Sequence, residues 1–396
     1  MQSLENRNNV IVFSHLRWDF VWQRPQHIIS RLARTNNIFF VEEPIPYSPD
    51  EEGTFKITER ENGIVVLQPR MQSKNLIAHM AKELMPLIAS YKMTDPILWF
   101  YSPMFKQISK YIPHSMMIYD CMDQLSAFKN APPALLKNER ELLVSADLVF
   151  TGGKSLYEDK MTYNRNVHCF PSSVEREHFA KALVKQGDVP ADIKNIPHPI
   201  VGYYGVIDER MDQKLLKEIA TRLPHVSFVL IGPVVKIDPE KLPRLPNIHY
   251  LGQKQYDELP DYLRAIDVAM MPFALNRSTK FISPTKTLEY MAALKPIVST
   301  PIYDVVRDYS NEVAIVSTAA QFSKAIESYL SETPTERKLR EAKMEAILNN
   351  TSWDKTTQKM EGLIEKAQDK SGLSVENEVW GNISPQFTAL QLVEQV

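Results

Sequence analysis

The run richest in chemistry is Phe281-Ile282-Ser283-Pro284-Thr285-Lys286-Thr287-Leu288-Glu289-Tyr290-Met291-Ala292-Ala293-Leu294-Lys295-Pro296-Ile297-Val298-Ser299-Thr300. Ser283 suits a helix N-cap and Pro284 the first helical position, so a helix is expected over 284–294. Lys286 then falls in the first turn, where a helix already carries about half a positive charge. A cation there breaks a local rule, and such breaks gather at functional sites. An anion over this N-terminus removes the conflict, because free backbone N–H groups and Lys286 would both face it. A diphosphate fits that description. Glu289, three residues on, lies close to the same face. As an acceptor-only group it can take two hydroxyl hydrogen bonds, for example from a ribose. The competing reading is an exposed Lys286–Glu289 pair worth tenths of a kcal/mol.

Other residues could join such a site. Asp120 and Asp123 follow the apolar segment Met116–Tyr119, and crowding or burial of two carboxylates raises one toward a working base. Asp120 is the first choice and Asp123 the second; a turn or helix cap is the alternative. His15 follows an apolar segment near the N-terminus and is a third catalytic candidate, or a structural histidine. Trp18 and Trp22 suit stacking on a sugar or packing of a helix. Arg24 suits phosphate or the surface. Gly205 and Gly232 end apolar segments where backbone can approach a ligand. The polar loop Phe273–Lys280, with Arg277, stands near the expected donor sugar.

These residues need a frame to bring them together. Apolar, β-branched segments at 9–14, 37–41, 64–67, 97–101, 116–119 and 147–151 alternate with helical stretches such as 26–33. That alternation argues for a mostly parallel sheet covered on both faces. Three prolines between Val189 and Pro199 mark the expected linker. The alternation restarts at 200–204, 227–232, 248–251, 267–271 and 296–300, and residues 320–370 read as helical. The segment Ile77–Ile88 is amphipathic and methionine-rich, and reads as core in preference to a membrane-surface helix. Two α/β halves facing each other open the carboxyl ends of both sheets onto one cleft, the default ligand site.

The Pro284–Val298 run resembles the donor-binding signature of GT-B fold glycosyltransferases of the family 4 type, of the kind found in bacterial surface-polysaccharide and teichuronic-acid synthesis. It reads Pro284-x-Lys286-x-x-Glu289-Tyr290-x-Ala292-x-Leu294-x-Pro296-Ile297-Val298. Weaker likenesses lie at Trp22–His27, Ser145–Leu156, Val201–Asp208 and Thr351–Asp354, in the family's order. The resemblance implies two Rossmann-like domains about a cleft. It implies residues 1–190 for the acceptor and 196–353 for the nucleotide-sugar donor. A helix at 354–370 crosses back, and 371–396 form a polar tail. By analogy Lys286, with Thr285 and Pro284 beside it, meets the donor diphosphate. Glu289 meets the ribose, and Arg210 and Gly205 line the same loop. The competing role for Arg210 is an ion pair with Asp208 or Asp212. Relatives carry a second glutamate where Phe281 stands, and a glycine where Leu294 stands.

The implied activity is transfer of a hexose from a nucleotide sugar, UDP-linked by analogy, to a glycan or lipid-linked acceptor in surface-polysaccharide synthesis. No metal or bound cofactor is expected. An epimerase on the same fold and a non-catalytic nucleotide- or sugar-binding protein are the alternatives. Composition narrows the field further. Net charge is −2 and spread evenly between the halves, without the basic excess of a nucleic-acid binder. Two isolated cysteines are neither a disulfide framework nor a metal set. The loop after the first strand lacks the glycine fingerprint of dinucleotide enzymes, and no P-loop motif is present. The N-terminal residues lack a signal peptide's apolar run, so the expected location is the cytoplasm, with peripheral contact at the inner membrane face as a variant.

Overall fold

The apolar segments are short, four to six residues in most cases, and flanked by helical stretches, which is the pattern of buried parallel strands. The computed structural model describes residues 7–45, 55–71, 75–184 and 187–381. Its first sheet holds β1 (Asn9–Phe13), β2 (Asn37–Val41), β3 (Phe55–Glu59), β4 (Ile64–Pro69), β5 (Ile97–Phe100), β6 (Met116–Cys121), β7 (Leu148–Thr151) and β8 (Val167–Cys169). The order is β3-β4-β2-β1-β5-β6-β7-β8, with every pair parallel except β3–β4. The second sheet holds β9 (Ile200–Tyr204), β10 (Ser227–Ile231), β11 (Ile248–Tyr250), β12 (Val268–Met271), β13 (Ile297–Ser299) and β14 (Ala314–Ile315). Its order is β11-β10-β9-β12-β13-β14, all parallel. Strand order reverses at β1/β5 and at β9/β12. Crevices at the carboxyl ends of such switch points are where open α/β sheets bind ligands.

The chain passes between the sheets earlier than its prolines suggest. Phe170 still packs with the first sheet, whereas Val174, Phe179, Ala182 and Ile193 are buried in the core of the second. The expected linker is therefore part of the second body. Arg264 straps it down by donating to the carbonyls of Lys181, Val184 and Asp188 at 2.9, 3.0 and 2.6 Å. The return crossing is as expected, with a helix over Trp353–Gly381. Trp353 stacks on His27 at 4.8 Å, and Met360 and Ile364 enter the first sheet's core. Asp354 adds ion pairs to Arg31 and Arg34. The helix thus continues into the segment read as a polar tail; residues 382–396 lie outside the described residues.

The helix Leu76–Ser90 buries Met80, Ala81, Leu84 and Ile88, so its apolar stripe is core. Trp18 is also core, edge-on to Phe40 at 5.0 Å, and is not free to stack on a sugar. Among the described residues no helix is long and apolar enough to cross a membrane.

Candidate active site

The helix in the 281–300 run starts one residue later than expected. Thr285–Ala292 is helical and Pro284, not Ser283, is the N-cap. Ser283 is turned to another task, since its carbonyl accepts the Ser172 hydroxyl at 2.5 Å from the other body. No side chain caps this helix and no acid lies in its first turn. Its leading N–H groups are therefore available, and helix starts normally fill that need with a cap or a ligand. At the other end, Lys295 N–H bonds to Tyr290 C=O and Leu294 N–H to Met291 C=O. That is a Schellman ending with Leu294 in the left-handed position, φ 52°. The usual glycine there has a conformational reason, and this chain bears the strain of a leucine instead.

Lys286, in the first turn, reaches into the cleft between the two sheets. Its ammonium makes no ion pair or hydrogen bond among the described residues and rests 5.7 Å from the centre of the Tyr203 ring. Its stem lies against Gly205, where a Cβ would come within 2.3 Å of Cε and 2.6 Å of Nζ. Burial lowers the Lys286 pKa; the Glu289 charge opposes this and Arg210 adds to it. Glu289 is buried on the same helix, and its Oε2 accepts the Tyr204 hydroxyl at 2.6 Å. Burial pushes its carboxyl up, against the Lys286 charge and hydrogen bonds from Tyr204 and Thr285. The exposed-pair reading of Lys286 and Glu289 is excluded, because both line the cleft and they form no ion pair.

The loops after β9 and β10 interlock beside them. Gly205 has φ 131° and Gly232 φ 145°, and a Cβ on Gly232 would stand 2.0 Å from the Gly205 carbonyl oxygen. Only glycine permits both the torsion and the approach. Arg210 grips Asp208 through two parallel bonds, Nε to Oδ1 at 3.0 Å and Nη2 to Oδ2 at 2.8 Å. Its guanidinium lies 5.4 Å from the Phe128 ring centre, across the cleft. Arg210 therefore both makes the ion pair and lines the cleft.

The two aspartates separate. β6 runs on to Cys121, so Asp120 is still within the strand, points into the core and is fully buried. It does not line the cleft. Arg24 holds it through Nε and Nη2 at 2.9 Å each, and also donates to Phe170 C=O at 2.7 Å. Arg24 is thus no surface residue; it is buried beside Asp120 and lines the cleft. Asp123, two residues past the strand, does line the cleft. Its carboxylate forms no hydrogen bond among the described residues. Burial pushes its pKa up; the Arg210 and Lys286 charges pull it down and Asp208 opposes them. His15 stands outside the cleft lining. Burial and the Lys236 charge lower its pKa to about 4, and its Nδ1 has no partner among the described residues.

Trp22, a stacking candidate from the sequence, does line the cleft, while Tyr256, Gln253 and Gly152 line it without having been singled out. Trp22, from the first body, stacks on Tyr256, from the second, at 5.7 Å. Gln253 reaches the Phe20 carbonyl at 2.5 Å. Gly152 lines the cleft where a Cβ would press on the Met122 backbone at 3.0 Å. That glycine, paired with Gly153 just past β7, was the readable sign. Phe281 leaves the cleft altogether and packs against the first body's core, so no acidic side chain stands where relatives carry their second glutamate.

Two Rossmann-like sheets with one cleft at their carboxyl ends define the GT-B fold. Solved structures agree. An E. coli structure named for trehalose-6-phosphate and bound with UDP-2-fluoro glucose superposes with a TM-score of 0.65, at 15% identity over 91% of this chain and 99% of that one. Sucrose-phosphate synthase from Thermosynechococcus elongatus gives a TM-score of 0.69, at 15% identity over 91% and 99%. Residues 198–332 match the family model described as Glycosyl transferases group 1. A Bacillus subtilis (strain 168) protein, TuaH, provisionally named a teichuronic acid biosynthesis glycosyltransferase, is 28% identical over 219 residues. That match spans 51% of this chain and about half, 55%, of the relative. The fold is thus GT-B, and its second body holds the match to the group 1 glycosyltransferase model.

Proposed function

We propose that this protein transfers a sugar from a nucleotide-sugar donor, with UDP as the nucleotide, to an acceptor hydroxyl. The observation that carries the reading is Lys286: a cation without a carboxylate partner, beside an uncapped helix N-terminus and against Gly205. Such an arrangement stabilises a diphosphate, both bound and as a leaving group. Arg210 adds positive charge, and Glu289 keeps an oxygen for the ribose hydroxyls. In the transfer, the bond between the anomeric carbon and the diphosphate oxygen breaks and its electron pair leaves with UDP. The acceptor oxygen bonds to that carbon and gives up its proton. Asp123 is the group best suited to receive it, ahead of Asp120 and His15.

The second body, which the chain enters by Val174, would hold the donor and the first the acceptor. The similarity to TuaH supports a surface glycan or a lipid-linked sugar as acceptor, met in the cytoplasm or at the inner membrane face. Thermal shift against UDP, GDP, ADP, CMP and NAD tests the donor. A ligand at a hundred times its Kd stabilises by about 2.7 kcal/mol. A shift with UDP that is lost in Glu289→Ala is the expected result. A shift with NAD alone would overturn the reading. An epimerase would return product of the donor's own mass whatever acceptor is added.

A further inference from the structure

A second cavity lies back to back with the donor cleft. Asp123 and Ile282 line the cleft, while their chain neighbours Gln124 and Phe281 line the cavity. Adjacent Cα atoms are about 3.8 Å apart, so one residue's thickness separates the two spaces on either wall. Both bodies contribute, Glu139, Arg140 and Lys160 from the first and Arg277, Lys280 and Phe281 from the second. The cavity volume is about 330 Å³, at the lower end of the roughly 300–1,000 Å³ of small-molecule sites.

The charges inside it are unbalanced. Lys160 Nζ sits 3.0 Å from Glu139 Oε1 and 3.0 Å from Asp159 Oδ2, and donates to Gln124 Oε1 at 2.5 Å. The Tyr119 hydroxyl adds a bond to Glu139 at 3.1 Å. Both carboxylates are thus engaged by one lysine. Arg140, Arg277 and Lys280 are exposed on the rim and make no ion pair among the described residues. Lys280 Nζ stands 4.9 Å from the centre of the Phe281 ring, which offers an apolar wall. Phe281 brings no charge to offset these cations and leaves an apolar surface suited to a sugar face. Arg277 and Lys280 line this cavity and not the donor cleft.

Resting on the transfer reading above, we propose that this cavity binds an anionic group, a carboxylate or a phosphate, carried by the acceptor sugar. Held there, the acceptor presents a hydroxyl across Asp123 to the donor. Arg140, Arg277 and Lys280 select charge, outweighing the one carboxylate that Lys160 leaves uncompensated, and Gln124, Ser126 and Tyr163 take the remaining hydroxyls.

Calorimetric titration of the full chain with glucuronate, glucose 6-phosphate and glucose tests this, after UDP has been titrated on the same samples. At least one charged sugar should bind roughly tenfold or more tightly than glucose, as expected for one charge-assisted hydrogen bond. Which of the two binds identifies carboxylate or phosphate. Arg277→Ala/Lys280→Ala, on exposed side chains, should lose that preference while UDP affinity stays at the wild-type value. The proposal is overturned if glucose binds as tightly as the charged sugars, if the double variant keeps the preference, or if no sugar binds while UDP does. Absence of UDP binding to the wild type would instead sink the donor reading; the sugar titrations without UDP then judge the cavity alone.

Discussion

Gly205→Ala should disable the donor site by moving a lysine without touching its charge. The added methyl would stand 2.3 Å from Lys286 Cε and 2.6 Å from Nζ, against roughly 3.5–4.0 Å for carbon atoms in contact. The lysine must retreat by more than about 1 Å on that comparison, and its flexible stem allows it to. The ammonium then leaves the helix N-terminus. Loss of one charge-assisted hydrogen bond to a diphosphate is worth about 1.5–3 kcal/mol, roughly ten- to a hundredfold in Kd. The alanine also inherits φ 131°, a region closed to L residues, at about 1–3 kcal/mol of folding stability. Calorimetry with UDP and urea unfolding measure the two effects separately. In a Lys286→Ala background the glycine change should cost little further affinity, because its target is gone. Wild-type UDP binding in Gly205→Ala, or two losses that add in full, would refute the reasoning.

Further substitutions divide the remaining roles. Asp120→Asn breaks a buried pair and should cost about 3–5 kcal/mol of stability by urea unfolding; a stable variant with kcat lost would return Asp120 to catalysis. Asp123→Asn should act in the opposite sense. Burial raises the Asp123 pKa, so the folded state binds the extra proton and stability falls as pH rises from the unfolded pKa through the folded one. The amide should therefore be more stable than wild type at neutral pH while kcat drops. The wild-type rate should fall as pH drops through a value above the ordinary carboxylate range. Trp353→Ala, by emptying the stack on His27, should cost about 3–5 kcal/mol and loosen the C-terminal helix, read as hydrogen exchange along 353–369. Gly153→Ala puts a methyl 2.3 Å from Asp304 Oδ2. It should weaken the contact in which Ser155 Oγ donates to Asp304 Oδ2 at 3.0 Å, lowering stability by about 1–3 kcal/mol by urea unfolding.

The parallel frame was legible because buried strands leave continuous apolar runs, and the donor helix because a lysine in its first turn contradicts the helix dipole. What escaped were features without periodicity. β3 is an antiparallel edge strand whose sequence, Phe55-Lys56-Ile57-Thr58-Glu59, is mostly exposed. β8 and β14 are three and two residues long. The choice of Asp120 over Asp123 turned on where β6 ends. One residue of strand reverses the direction of a side chain, and the strand runs two residues past Tyr119. The proline cluster marked a turn-rich strap and not the crossing, since prolines report local backbone and not which core a segment joins. The Trp22–Tyr256 stack joins residues far apart in the chain, and no local pattern announces such a pair.

A crystal structure of the protein with UDP bound tests the central claim most directly. The diphosphate is expected over the start of the Thr285–Ala292 helix, within hydrogen-bond distance of Lys286 Nζ and the leading backbone N–H groups, with ribose hydroxyls on Glu289. A diphosphate bound elsewhere, with Lys286 and Glu289 contacting only protein, would contradict it.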